Sequence, residues 1–212
     1  MKKIFLAFML MTAMVQGQSK FKYDKLFLES GIGMGIPMSQ ISPTDSSNGS
    51  ISLIHFQGSL RYMFNENFGL MGNLNYDEFK NSLDQKSEQK LLGLELVYNI
   101  GNAFKLYGDD ESFGLLMHGG VGVGVMSSKF NMNDNIGAIT VGLKPILALN
   151  DKVSLFADVT YKQILEQDVY YNGFQTTYPD PGKFSSSQIG LTFGIIASLG
   201  KNSSSADFFH LR

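Results

Sequence analysis

Strict two-residue alternation, repeated along the whole chain, is the feature that most constrains this sequence. A period of two puts successive side chains on opposite faces of a strand. In 89–100, Leu92, Leu94, Leu96, Tyr98 and Ile100 share one face, while Gly93, Glu95 and Asn99 share the other. In 152–163, Val153, Leu155, Val159 and Tyr161 oppose Ser154, Asp158, Thr160 and Lys162. The same reading holds for 26–36, 51–64, 67–79, 112–126, 137–149 and 186–199, which makes eight segments. Their length is close to the roughly 9–11 residues of a tilted membrane strand, and the number is even. Tight turns at Asn65-Glu66 and Asn150-Asp151 alternate with longer polar connections at 37–50, 80–88, 127–136 and 164–185. Residues 101–111 form a longer connection on the short-turn side. The pattern predicts an all-β fold, an eight-stranded antiparallel up-and-down transmembrane β-barrel over 18–200.

A soluble calyx also uses eight strands, with its apolar face inward. The polar face decides between the two. Here it is rich in glycine, with about one ionisable group per strand, whereas a solvated exterior is dense in charge. Only 17% of residues are charged, below the roughly 25% of soluble domains, which favours the membrane. Aromatic residues mark the strand ends on the apolar face: Tyr62, Phe64, Phe68, Tyr98 and Phe113 at one end, Tyr76 and Tyr161 at the other. Such girdles suit the headgroup level. Outer-membrane lipid is therefore the expected surrounding. The net charge of −2 supplies no basic field, so no nucleic-acid partner is expected. The absence of cysteine excludes disulfides, cysteine-ligated metals and thiol nucleophiles.

Lys2 and Lys3 precede an apolar run from Ile4 to Val15, and Val15-Gln16-Gly17 follows with compact residues. The run is short for a membrane span, so residues 1–17 read as a cleaved signal peptide. Export followed by a barrel implies the outer membrane, with both termini periplasmic and the long loops extracellular.

Several stretches carry a family likeness. They are Asn67-Phe68-Gly69-Leu70 leading to Tyr76, Val97-Tyr98-Asn99-Ile100-Gly101-Asn102, and His118-Gly119-Gly120-Val121-Gly122-Val123-Gly124. The stretch from Ile136 to Tyr161 continues it, with Gly142-Leu143-Lys144-Pro145 and Leu155-Phe156-Ala157-Asp158. Here the sequence resembles the OmpA-like outer-membrane β-barrel domains of Bacteroidota-type Gram-negative bacteria. The resemblance implies a barrel and says little of activity. Members of that family often carry a peptidoglycan-binding domain after the barrel. Here residues 201–212 follow as a short periplasmic tail, so direct anchoring to the cell wall is not expected.

Antiparallel register places Glu29 and Arg61 at similar depth on adjacent strands. Glu95, His118, Lys144 and Asp158 fall at one level on four successive strands, with Lys162 higher up. Charges inside a narrow barrel must pair or suffer desolvation. These seven residues are expected to form a polar network that plugs the bore, a structural role rather than an ion path or proton relay.

No catalytic, cofactor-binding or metal-binding set is expected. His55 lies inward with Ser52 and Ser59 nearby, a pairing that acyl transfer could use, but no nucleophile-elbow motif accompanies it. Gly31, Gly33 and Gly35 lie on one strand face with no helix after them, so they read as lumen packing rather than a nucleotide loop. Asp109-Asp110-Glu111 reads as a solvated turn.

Two regions carry candidate partner contacts. Loop 164–185 holds Tyr170, Tyr171, Phe174 and Tyr178, which either meet a partner or pack on the barrel rim. In the tail, a polar spacer at 201–205 leads to Phe208 and Phe209. That end could dock on a periplasmic partner, add to a sheet edge, stay disordered or serve folding machinery. The expected function is a structural or accessory barrel beside a larger outer-membrane complex for transport, secretion or barrel insertion. The alternatives are a narrow gated channel and a small lipid-modifying enzyme.

Overall fold

The computed structural model describes residues 24–38, 51–80, 86–106, 112–129, 133–174, 182–201 and 205–211. The expected signal peptide at 1–17, Tyr178, and Asp109 to Glu111 lie outside the described residues. Eight strands follow in order: β1 (Leu26–Pro37), β2 (Ile51–Met63), β3 (Phe68–Lys80), β4 (Lys86–Asn99), β5 (Phe113–Ser128), β6 (Asn133–Ala148), β7 (Val153–Gln167) and β8 (Phe184–Ser198). Each pairs antiparallel with its neighbour, and β8 pairs with β1 from Phe27↔Ser198 to Pro37↔Gln188. The sheet is thus a closed barrel. Closure satisfies every ladder without an edge, which a wall in hydrocarbon requires.

The two short turns share one construction. Asn65 Oδ1 accepts from the backbone N–H groups of Asn67 and Phe68, both at 2.8 Å. Asn150 Oδ1 accepts from those of Lys152 and Val153, both at 2.9 Å. In each, a short side-chain amide caps two donors that the reversing backbone would leave open. The connection at 101–111 includes a one-turn helix, α1 (Ile100–Phe104), whose N-cap Asn99 accepts from the Asn102 N–H at 3.0 Å. These connections, Asp24 and the C-terminal segment share one end of the barrel, called here the turn end. The opposite end is the loop end.

The outward faces are the apolar ones. Ile32 is 70% exposed, Leu96 67%, Val123 67% and Phe193 66%, and each is flanked along its strand by inward-facing residues. A water-soluble wall does not present such a continuous apolar band. The polar side chains point inward, the reverse of a calyx. At the turn end Phe68 lies against Tyr98 with ring centroids 4.9 Å apart, and Tyr62 meets Phe64 at 5.8 Å, edge to face.

The strands run further toward the loop end than the alternation indicates. β4 starts at Lys86 rather than 89, β6 at Asn133 rather than 137, and β7 ends at Gln167 rather than 163. Backbone ladders such as Lys86↔Lys80 and Asn133↔Ser127 persist there although the side chains are polar on both faces. Main-chain pairing needs no apolar alternation.

The interior is layered. At the turn end, Phe27, Met63, Met71, Val97, Leu116, Ile146, Phe156 and Ile196 form an apolar cluster. At the loop end, Phe79, Leu91, Met126, Ile136, Ile164, Val169 and Tyr171 form a second. The charged residues lie between. Beyond β8, a C-terminal 3-10 segment (Ala206–Leu211), kinked at Phe208, enters the turn-end cluster through Ala206 and Phe208.

Candidate functional site

Inward positions on six strands and the C-terminal segment build one buried chain of charges. It starts at the turn end, where Arg61 on β2 is completely enclosed. Its Nε donates to Glu29 Oε1 at 2.6 Å, and its two terminal nitrogens donate to the Asp207 carboxylate at 2.6 and 2.8 Å. The guanidinium carbon also lies 4.2 Å from the centre of the Phe27 ring. The second oxygen of Glu29 accepts from Lys144 Nζ at 2.6 Å. Lys144 stands 3.4 Å from Asp158 Oδ2 and 4.9 Å from the Phe156 ring centre. Asp158 Oδ1 faces His118 Nε2 at 3.0 Å, and His118 Nδ1 faces Glu95 Oε2 at 2.5 Å. Glu95 Oε1 then accepts from Asn73 Nδ2 at 2.7 Å and from the Thr140 hydroxyl at 2.8 Å.

His118 therefore meets a carboxylate at each ring nitrogen. Carboxylates only accept, so an imidazole that bonds both must donate from both, and that species is the imidazolium. The ring fits because of Gly142. A Cβ there would collide with His118 Nε2 and Cε1, so glycine provides the seat on the neighbouring strand, opposite His118 in the β5–β6 register.

A second, smaller cluster lies nearer the loop end. His55 Nδ1 is 2.8 Å from Asp77 Oδ1, and Lys162 Nζ is 3.4 Å from Asp77 Oδ2. Between the two clusters sits a polar cavity of about 10 Å³ lined by His55, Asn73, Glu95, His118, Thr160 and Lys162 among others. That is room for about one water. The side-chain amides of Gln89 and Gln188, also fully buried, have no hydrogen-bond partner among the described residues.

Of the seven residues expected in a network, six stand in the main chain of contacts and Lys162 belongs to the Asp77 cluster. Asp77 was legible as an inward residue opposite His55 in the β2–β3 register. Asp207 had no periodic signal, because it lies beyond the last strand. Of the residues weighed for acyl transfer, His55 faces Asp77 through Nδ1, the Ser59 hydroxyl accepts from Gln57 at 3.4 Å, and the Ser52 side chain lies outside the described residues. Among the described residues, no group of three His, Cys, Asp or Glu could hold a metal ion.

The candidate contact residues are placed unevenly. Tyr171 is not at a surface. The segment 168–174 dips into the loop-end mouth, where Tyr171 meets Phe79 edge to face at 4.6 Å and its hydroxyl bonds Ser186 at 2.9 Å. Burial pushes that phenol above its ordinary range. The Ser87 hydroxyl donates to the Tyr171 carbonyl at 2.7 Å, and the Ser128 hydroxyl to that of Gly173 at 2.6 Å. Gly173 takes φ +85°, and a side chain there would also meet the Lys86 carbonyl. Tyr170 stacks on Phe184 at 4.6 Å, and Phe174 is exposed. Phe208 also departs from expectation: it is buried in the turn-end cluster of its own barrel, because an aromatic tail finds apolar surface there. Phe209 follows the kink at Phe208, and its side chain is outside the described residues.

Residues 4–202 match the family model described as the outer membrane protein beta-barrel domain. Among solved structures, the chain is similar to Neisserial surface protein A at 13% identity and TM-score 0.54, covering 82% of this chain and 97% of that one. It is also similar to the outer membrane protein OprG of Pseudomonas aeruginosa, at 12% identity and TM-score 0.47, covering 83% and 96%. For Ail, the attachment invasion locus protein of Yersinia pestis, the values are 14%, 0.46, 82% and 99%. No curated protein matches the chain. At these identities the likeness to solved structures concerns the fold. The family match spans nearly the whole sequence and agrees with the closed eight-stranded wall and its apolar exterior. The chain belongs to the outer membrane protein β-barrel domain family.

Proposed function

We propose that this protein is an outer-membrane barrel with a closed bore and a structural or accessory role, acting from its outer wall and loops as a subunit or neighbour of a larger outer-membrane complex. The observation that carries this reading is the continuous ion-pair chain from Asp207 through Arg61, Glu29, Lys144, Asp158 and His118 to Glu95. Its members are buried, and apolar clusters lie on either side. A conducting path would have to part these pairs. Each parting leaves a buried charge without its partner, at about 3–5 kcal/mol. A barrel with a filled bore has its outside left for contact, either with lipid or with another protein.

The same reading places the turn end in the periplasm and the long loops outside, in keeping with the short-turn, long-loop asymmetry of such barrels. Residues 1–17 act in it as the cleaved export signal. In the same reading the chain is one of the OmpA-like barrels of Bacteroidota-type bacteria within the family, a likeness that the motifs at 67–70, 97–102 and 118–124 support. The test is purification from native membranes in mild detergent, with an affinity tag inserted within residues 44–49. A stoichiometric outer-membrane partner is the expected result. Recovery of the barrel alone, under conditions that keep known complexes intact, overturns the accessory role.

A further inference from the structure

We propose that the turn-end mouth of the barrel is a binding site for an acidic-aromatic peptide, and that residues 205–211 are its resident ligand, separable from the wall. The wall is complete without them. All eight strands pair, including the β1–β8 seam, and the segment joins no strand ladder. Its backbone meets the wall at a bridge between Asp24 and Ser205, where the Ala206 N–H donates to the Asp24 carbonyl at 3.1 Å.

What holds the segment is side-chain recognition of the kind a receptor makes. Asp207 lays both carboxylate oxygens on the two terminal nitrogens of Arg61, a bidentate fit. Asn99 Nδ2 donates to the Asp207 carbonyl at 3.3 Å. The Phe208 ring packs against Gly114, where a Cβ would stand 3.1 Å from Phe208 Cε1 and oblige the ring to shift. Ala206 fits the same cluster, fully buried. Arg61 keeps its Glu29 partner at 2.6 Å when Asp207 is removed from the count, so an emptied site would retain a positioned cation with two free donors. The sequence leading in, Lys201-Asn202-Ser203-Ser204-Ser205, is polar and suits a tether. The ligand class is thus a peptide with a small residue, an aspartate and an aromatic in succession. This inference stands whether or not the bore conducts, since it concerns the mouth alone.

The test uses the folded full chain with a protease site inserted within 201–204 and a fluorophore beyond Leu211, cut after folding in detergent. The expected result is that the labelled segment stays bound after the cut and exchanges with excess unlabelled peptide 201–212. The same peptide with Asp207→Asn should compete at least about tenfold more weakly. In a second, uncut-then-cut protein carrying Gly114→Ala, retention should fall by a similar factor while the barrel keeps its heat-modifiable migration. Immediate loss without rebinding at millimolar peptide overturns the site. A segment that never exchanges overturns its being a ligand, because it is then an integral part of the barrel. Equal competition by the Asp207→Asn peptide overturns the carboxylate recognition.

Discussion

Arg61 donates three hydrogen bonds to two carboxylates, and none of its side chain reaches solvent. Removing it leaves Glu29 with Lys144 alone and Asp207 without a counter-charge. Arg61→Ala should therefore lower stability by about 3–5 kcal/mol, read as a shift of the urea midpoint in folding experiments from detergent or bilayers. Arg61→Lys should lose less, since it keeps the charge but not the fork. An Arg61→Ala protein as stable as the parent contradicts the ion-pair chain. His118 offers a spectroscopic check. Held between Glu95 and Asp158, it should show a proton on both ring nitrogens at neutral pH by nitrogen-15 NMR. A single bare ring nitrogen contradicts the assigned contacts. Much of this site was legible beforehand. Each of Glu29, Arg61, Glu95, His118, Lys144 and Asp158 falls on the non-apolar phase of its strand, and antiparallel order set their levels. Asp207 was not legible, because beyond Ser198 no strand phase assigns a direction to a side chain.

Segment 168–174 packs into the loop-end mouth by the same means that shape any core. Tyr171 adds its ring to Phe79, and its hydroxyl is satisfied by Ser186. Tyr171→Phe should lose about 1 kcal/mol for that bond, and Tyr171→Ala about 3 kcal/mol or more. In hydrogen exchange, Tyr171→Ala should speed the amides of 168–174 while those of the central ladders stay protected. Unchanged exchange in this segment contradicts its docking. All eight strands were legible from the alternation, as was the closed antiparallel order. Their loop-end limits were not, because ladders such as Asn133↔Ser127 and Lys86↔Lys80 continue where the side-chain pattern has stopped. Helix α1 was missed since five residues give no helical period to read. The inward apolar layers had a signal that alternation alone obscures: Leu91-Leu92 and Leu115-Leu116 are apolar on both phases, so one member of each pair must face the bore.

At the scale of the whole molecule, the barrel is a shell of apolar residues around a stack of three interiors: an apolar layer that receives the C-terminal segment, a charged belt, and an apolar layer that receives Tyr171. The belt lies where water is scarce, so its charges answer to one another, and the apolar layers hold them there. An eight-stranded bore is just wide enough for side chains to fill, and here the inward residues are long enough to meet across it. Closure of the bore is the central claim, and ion conductance tests it most directly. The folded, full-length protein reconstituted into a planar lipid bilayer should give no current steps above those of bare lipid in molar potassium chloride. Reproducible single-channel steps, abolished when the protein is omitted, contradict a closed barrel.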